Sequence, residues 1–110
     1  MSIRVYVAGP MSKGWLPDHM REAMQAGYML RKAGFFPFLP QLMIHWDLAY
    51  PQDYEAWMTY DFAWVKVCQA LLRLPGESSG ADREVALAVE NQIPVFRSVN
   101  ELIEHFKVAA

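Results

Sequence analysis

The chain has 110 residues, 54% of them hydrophobic, with a formal net charge of −2 and a single cysteine. That length suits one core, so a single domain over residues 1–110 is expected, far from the composition of a disordered chain. The charge balance argues against a nucleic acid polymer as partner, Cys68 has no second cysteine to pair with, and no apolar run approaches the roughly 18 to 20 residues needed to span a membrane.

In chain order, "IRVYVA" (3–8) is β-branched and aromatic and ends at Gly9-Pro10, which predicts a strand entering a loop. The same opening is too short and too soon interrupted for a signal peptide, which gives the expectation of a cytoplasmic protein. From Asp18 to Ala33 small and apolar residues recur at Met20, Ala23, Met24, Gly27 and Leu30 with helical spacing. Asp18 is the expected N-cap of that helix and Gly34 the expected residue just past its end. "FFPFLP" (35–40) carries Pro37, which favours an edge strand, and residues 41–52 read as a loop. A helix is predicted from about Asp53 to Val67, a buried strand over Gln69–Leu74, a helix from about Gly80 to Asn91, a short strand "PVFR" (94–97) and a last helix from about Val99 to Val108.

Strands alternating with helices imply right-handed βαβ units. The expected fold is therefore α/β, a small doubly wound, mostly parallel sheet of Rossmann-like or flavodoxin-like form with helices on both faces. Ligands of such sheets bind outside the carboxyl ends of the strands, which directs attention to the loops after Ala8 and Leu74.

In the second of these loops Ser78 or Ser79 can cap a helix, and Gly80 lets the backbone approach a ligand at the positive helix end. The pattern fits an anion site and fits an ordinary capped helix. Glu84 shares a helical face with Ala81, Val85 and Ala88, where an apolar residue is expected; Asp82 and Arg83 fall on other faces. If that face packs on the sheet, the helix N-terminus would keep the carboxylate ionised, as suits a nucleophile; a slight rotation would leave it a surface charge. Asp61 stands in an aromatic stripe with Tyr54, Trp57 and Trp64, so burial should raise its pKa toward a value useful for moving a proton. A hydrogen bond from backbone or a Trp N–H would account for it equally.

Tyr6 shares a strand face with Arg4 and Ala8, and serves either as core or as a hydroxyl reaching the crevice. "AGPMSKG" (8–14) offers backbone N–H groups, Ser12 and Lys13 to an anion but lacks the full dinucleotide or P-loop pattern. His45, Trp46 and Asp47 form a mixture suited to a lid, a stacking wall or a plain polar loop. His19 and His105 read as helix-surface residues and Cys68 as packing. No Cys/His cluster has metal-site spacing, so neither metal nor cofactor is expected.

Together "VYVAGPMS", "MTYDFAWV" and "LLRLPGESSGADREVALAVENQIPVF" resemble the nucleoside 2-deoxyribosyltransferase superfamily, including its nucleoside 5′-monophosphate N-glycosidases, over nearly the whole chain. The resemblance implies a transferase or hydrolase acting on a small nucleotide or nucleoside. It gives Glu84 the part of nucleophile at C1′, Tyr6 that of orienting the carboxylate, and Asp61 that of protonating the leaving base. Gly9, Pro10, Met11, Ser12, Ser78 and Gly80 match positions that hold a 5′-phosphate in the glycosidases. Ser78 stands where the transferases carry a sugar-binding acid, which favours a monophosphate because an acid there would repel it. The usual Glu-Leu-Gly after the nucleophile is Glu84-Val85-Ala86 here. A homodimer is the assembly that the resemblance implies. A nucleotide-binding module of the same fold without efficient catalysis is the alternative.

Overall fold

The computed structural model describes residues 2–109, with side chains through residue 107. The strands are β1 (Arg4–Ala8), β2 (Phe36–Phe38), β3 (Ala70–Arg73) and β4 (Val95–Phe96); the helices are α1 (Leu16–Lys32), α2 (Ile44–Ala49), α3 (Tyr54–Val65), α4 (Ser79–Glu90) and α5 (Val99–Ala109). All pairings are parallel in the order β2-β1-β3-β4, as the alternating elements predict. Chain direction across the sheet reverses between β1 and β3, whose register runs from Val5 opposite Ala70 to Ala8 opposite Arg73. Their carboxyl ends therefore flank the switch point where such sheets bind ligands.

The helices cover both faces, and the faces differ. On one, Val5, Val7 and Leu72 pack with Ala26 and Leu30 of α1 and Leu102 of α5, an entirely apolar cluster. On the other, Tyr6, Ala8 and Leu71 meet Val65 of α3 and Ala81 and Ala88 of α4. The alternation of β1 is what splits these sets, since successive side chains of a strand point to opposite faces.

α1 begins earlier than its expected Asp18 cap. Trp15 occupies the cap position with extended backbone, Pro17 lies in the first turn, and Asp18 sits inside the helix, accepting a 2.9 Å bond from Arg21. The preset φ of proline favours helix initiation there, and Asp18 still faces the positive helix end. At the other end Gly34 is the αL residue anticipated: its φ is +94°, with Gly34 N–H donating to Arg31 O at 3.0 Å and Phe35 N–H to Leu30 O at 2.9 Å, a Schellman closure.

Residues 41–52, expected as a loop, contain more structure. A 3-10 turn over Pro40–Met43 leads into α2. The anchor is tertiary: Gln41 is buried and donates from Nε2 to Val7 O at 3.1 Å, which pins the turn beneath the carboxyl end of β1. β2 lies at the sheet edge, where the missing N–H of Pro37 costs no interior ladder bond. Asp53 caps α3, accepting from Ala56 N–H at 2.8 Å. Among the described residues no helix is long and apolar enough to cross a membrane.

Candidate active site

β1 and α4 bring the first two site residues together. Tyr6 is fully buried, and its hydroxyl donates to Glu84 Oε2 at 2.5 Å. The Tyr6 ring is held by stacking on Phe38 at 5.6 Å between centroids, and Phe38 in turn stacks on Trp64 at 4.9 Å. Glu84 is only 5% exposed, so the face carrying Ala81, Val85 and Ala88 does turn toward the sheet, and the surface-charge reading falls.

α3 supplies Asp61, half-buried, with its Oδ1 shielded from water and without a partner among the described residues. Burial raises its pKa to about 6, while the neighbouring Glu84 and Tyr6 pull it down. Glu84 is pushed further, to about 8: burial is the main cause and the nearby Asp61 adds to it, whereas the Tyr6 hydroxyl and the Arg73 guanidinium act the other way. Tyr6 is held far above its ordinary value, first by burial and then by the charges of Glu84 and Asp61.

This corrects one expectation. Glu84 lies nearly two turns beyond the Ser78 cap, past the reach of the helix-end charge, so burial rather than the helix end dominates and pushes its pKa up. The two carboxyls influence each other and burial pushes both up, so they titrate as a pair rather than singly.

A cavity of about 410 Å³ opens above this pair. Glu84 and Asp61 line it together with Gly9, Met11 and Ser12 from the β1 loop and Ser78 and Gly80 from the start of α4. Ser78, rather than Ser79, is the cap: its Oγ accepts from Ala81 N–H at 3.0 Å, which leaves the hydroxyl proton free to donate. Gly80 keeps the wall thin, since a Cβ there would meet Tyr54 Oη at 3.2 Å and Met58 Sδ at 3.5 Å. Pro10 does not join them. It is buried and packs against Gly76, where a Cβ would come within 2.9 Å of Pro10 Cγ and where φ is +114°. The ring shapes the turn from behind instead of contacting the cavity.

Arg73, at the end of β3, is 5% exposed and binds the turn after it: its guanidinium donates to Leu74 O, to Gly76 O at 2.9 Å and to Asp82 Oδ1 at 3.1 Å. Asp82 is thus paired, though its side chain stays largely exposed. Arg83 forks onto Glu55 at 2.9 and 3.0 Å across the α3–α4 surface. Lys13 reaches Glu77 at 3.5 Å, linking the two loops that flank the cavity.

A further wall comes from residues 41–52, for which the patterning predicts a loop. Met43, Ile44, Asp47 and Gln52 line it, facing Tyr54 and Trp57 of α3. Asp47 Oδ1 accepts from Trp57 Nε1 at 2.6 Å and from Gln52 N–H at 3.0 Å. Of the trio 45–47, Asp47 faces the cavity while His45 is exposed on α2. The sequence signal available for this wall was the mixture of Trp, Asp and His in so short a stretch. Cys68 is buried and its thiol is pushed up to about 11 by that burial, in keeping with packing. Among the described residues no group of His, Cys, Asp and Glu could hold a metal ion.

Residues 3–97 match a family described as a domain of unknown function, DUF4406. No curated protein matches the chain. Among solved structures, a 2-deoxyribosyltransferase from Bacillus psychrosaccharolyticus is similar at 19% identity with a TM-score of 0.61, over 84% of this chain and 69% of that one. A conserved protein from Enterococcus faecalis V583 shares 18% identity with a TM-score of 0.68, over 86% of this chain and 62% of its own length. A 2-deoxyribosyltransferase from Leishmania mexicana shares 15% with a TM-score of 0.64, over 84% and 61%. The chain thus spans less than two thirds of the last two structures, and the likeness establishes a shared α/β fold.

Proposed function

The chain belongs to the DUF4406 family, and on that premise we propose that it is an enzyme acting at the N-glycosidic bond of a nucleotide or nucleoside, with a 5′-monophosphate as the favoured substrate. The observation that carries the proposal is the buried Tyr6 to Glu84 hydrogen bond at the floor of the cavity, with Asp61 beside it. A shielded carboxylate, an orienting hydroxyl and a second carboxyl of raised pKa are the groups that glycosidic cleavage requires. The shared fold with two structures that are 2-deoxyribosyltransferases supports the same reading.

In the reactive form the single proton of the pair sits on Asp61 and Glu84 is ionised. A Glu84 oxygen attacks C1′ as the C1′–N bond breaks; the bonding electrons leave with the base nitrogen, which takes the Asp61 proton. The Asp61 carboxylate then accepts a proton from water as its oxygen attacks C1′ and frees Glu84, completing hydrolysis. A second base attacking C1′ in place of water gives transfer. Tyr6 steadies the Glu84 carboxylate throughout and lowers its pKa toward the ionised state.

The phosphate reading rests on Ser12, the Ser78 hydroxyl and the N-terminus of α4, which all line the cavity. A binding module without efficient catalysis is the second reading, favoured by the burial of Glu84, which pushes its pKa up and opposes the ionised form that a nucleophile needs. Incubation with a panel of nucleosides and nucleoside monophosphates, with free base measured by chromatography, separates the two. Base release that falls at least about a thousandfold in Glu84→Ala, with the circular dichroism spectrum unchanged, is expected of the enzyme. Undiminished turnover in that variant would sink the glutamate mechanism, and nucleotide binding without any released base would leave the module.

A further inference from the structure

Asp47 is the one carboxylate of the cavity wall that the glycosidic chemistry does not use. It is fixed from two sides, and both bonds fall on the same oxygen: Trp57 Nε1 at 2.6 Å and Gln52 N–H at 3.0 Å both donate to Oδ1. Oδ2 accepts from no described residue. Those two bonds also hold the carboxyl below its usual range, so it is charged near neutrality and can only accept hydrogen bonds. Beside it the cavity is lined by apolar side chains, Met43 and Ile44, and by the Trp57 indole. That indole is held edge-on by Trp46 at 5.6 Å and Tyr60 at 5.7 Å between centroids. A planar heterocycle can lie against this surface with one edge toward Oδ2.

Resting on the proposed function, we infer that Asp47 selects the base: the free oxygen accepts from an exocyclic amino group, so the substrates are nucleotides of amino-bearing bases, cytosine or adenine in type, over their keto counterparts. A keto oxygen placed there would face the negative charge of Asp47 with no proton between the two oxygens, a repulsion that lowers affinity.

Asparagine offers a near-isosteric test. Its carbonyl can keep the bonds from Trp57 and Gln52 while its amide group takes the Oδ2 position, turning an acceptor into a donor. Calorimetric affinities for cytidine against uridine monophosphate, and for adenosine against inosine monophosphate, are to be compared in the wild type and in Asp47→Asn, alongside base release. The wild type should favour the amino member of each pair by about tenfold or more, and Asp47→Asn should reverse the order. Asp47→Ala, which removes the group, should bring each pair close to equality. A ratio unchanged by Asp47→Asn in a variant that still binds overturns the inference, as does a wild-type preference for the keto members. Because binding is measured separately, a protein that discriminates as stated yet releases no base would overturn the proposed reaction while upholding the role of Asp47.

Discussion

The two faces of the sheet are built from neighbouring residues of the same strands and are put to different uses. Val5, Val7 and Leu72 meet Leu30 and Leu102 in an apolar cluster. One residue away in β1, Tyr6 meets the buried carboxyl of Glu84, with Asp61 close to both. Burial of the first set stabilises the fold by roughly 25 cal/mol for each Å² of apolar surface removed from water. Burial of the second set costs free energy, because carboxyls held at raised pKa values disfavour the folded state once they ionise. One face supports the structure, and the other stores a chemical potential that it opposes.

Substitutions on the two faces should have opposite consequences. The largest stability effect is expected on the apolar face: Leu30→Ala should destabilise the protein by about 2 to 5 kcal/mol in urea unfolding, since the side chain is fully buried and the cavity left behind adds to the lost transfer energy. A cost near zero would mean that the face is not the support described.

Glu84→Gln should do the opposite, in a pH-dependent way. The folded-state pKa, about 8, is raised above the ordinary 4.5, so the folded protein binds the proton more tightly than the unfolded chain. Wild-type stability from this group is fully present below about pH 4.5 and is lost as the pH rises through about 8. The variant lacks that loss, and should gain on the wild type progressively between those values by up to a few kcal/mol, on the order of 1.4 for each pH unit of the shift. Thermal unfolding of both proteins across that range measures the gap, and a gap constant with pH would contradict the desolvated carboxyl.

The smallest effect is expected at Tyr6→Phe, which keeps the ring in its stack and removes the hydroxyl. If one shared proton is needed, activity rises as the first carboxyl ionises near pH 6 and falls as the second does near pH 8. The Tyr6 hydrogen bond lowers both pKa values, so its loss should move both limbs to higher pH and reduce the maximal rate about tenfold to a hundredfold. A lower rate with unmoved limbs would mean that Tyr6 acts on position alone.

Much of this arrangement was legible in the sequence, for reasons that are local. The apolar period that ends at Gly34 marks α1, and the run "ALLR" between a helix and Pro75-Gly76 marks β3. An acid among alanines at position 84, and another among tryptophans at 61, stand out because apolar faces seldom hold charge without a partner. The cap of α1 lies three residues before the expected Asp18, since Asp18 and Pro17 are both good first-turn residues and only the backbone shows which turn is first.

The order of strands and helices and two carboxylates out of place are written locally in the chain, because periodicity and capping act over a few residues. The remainder depends on contacts between segments far apart in the chain. Gln41, hydrogen-bonded to Val7, anchors residues 40–49, from which α2 presents Asp47 to the cavity, while Pro10 packs against Gly76. The proton order within the pair also depends on such contacts: Glu84 ends with the higher pKa because it is the more deeply buried of two carboxyls brought together from α3 and α4. Desolvation and charge coupling act through space, between residues that chain position leaves far apart.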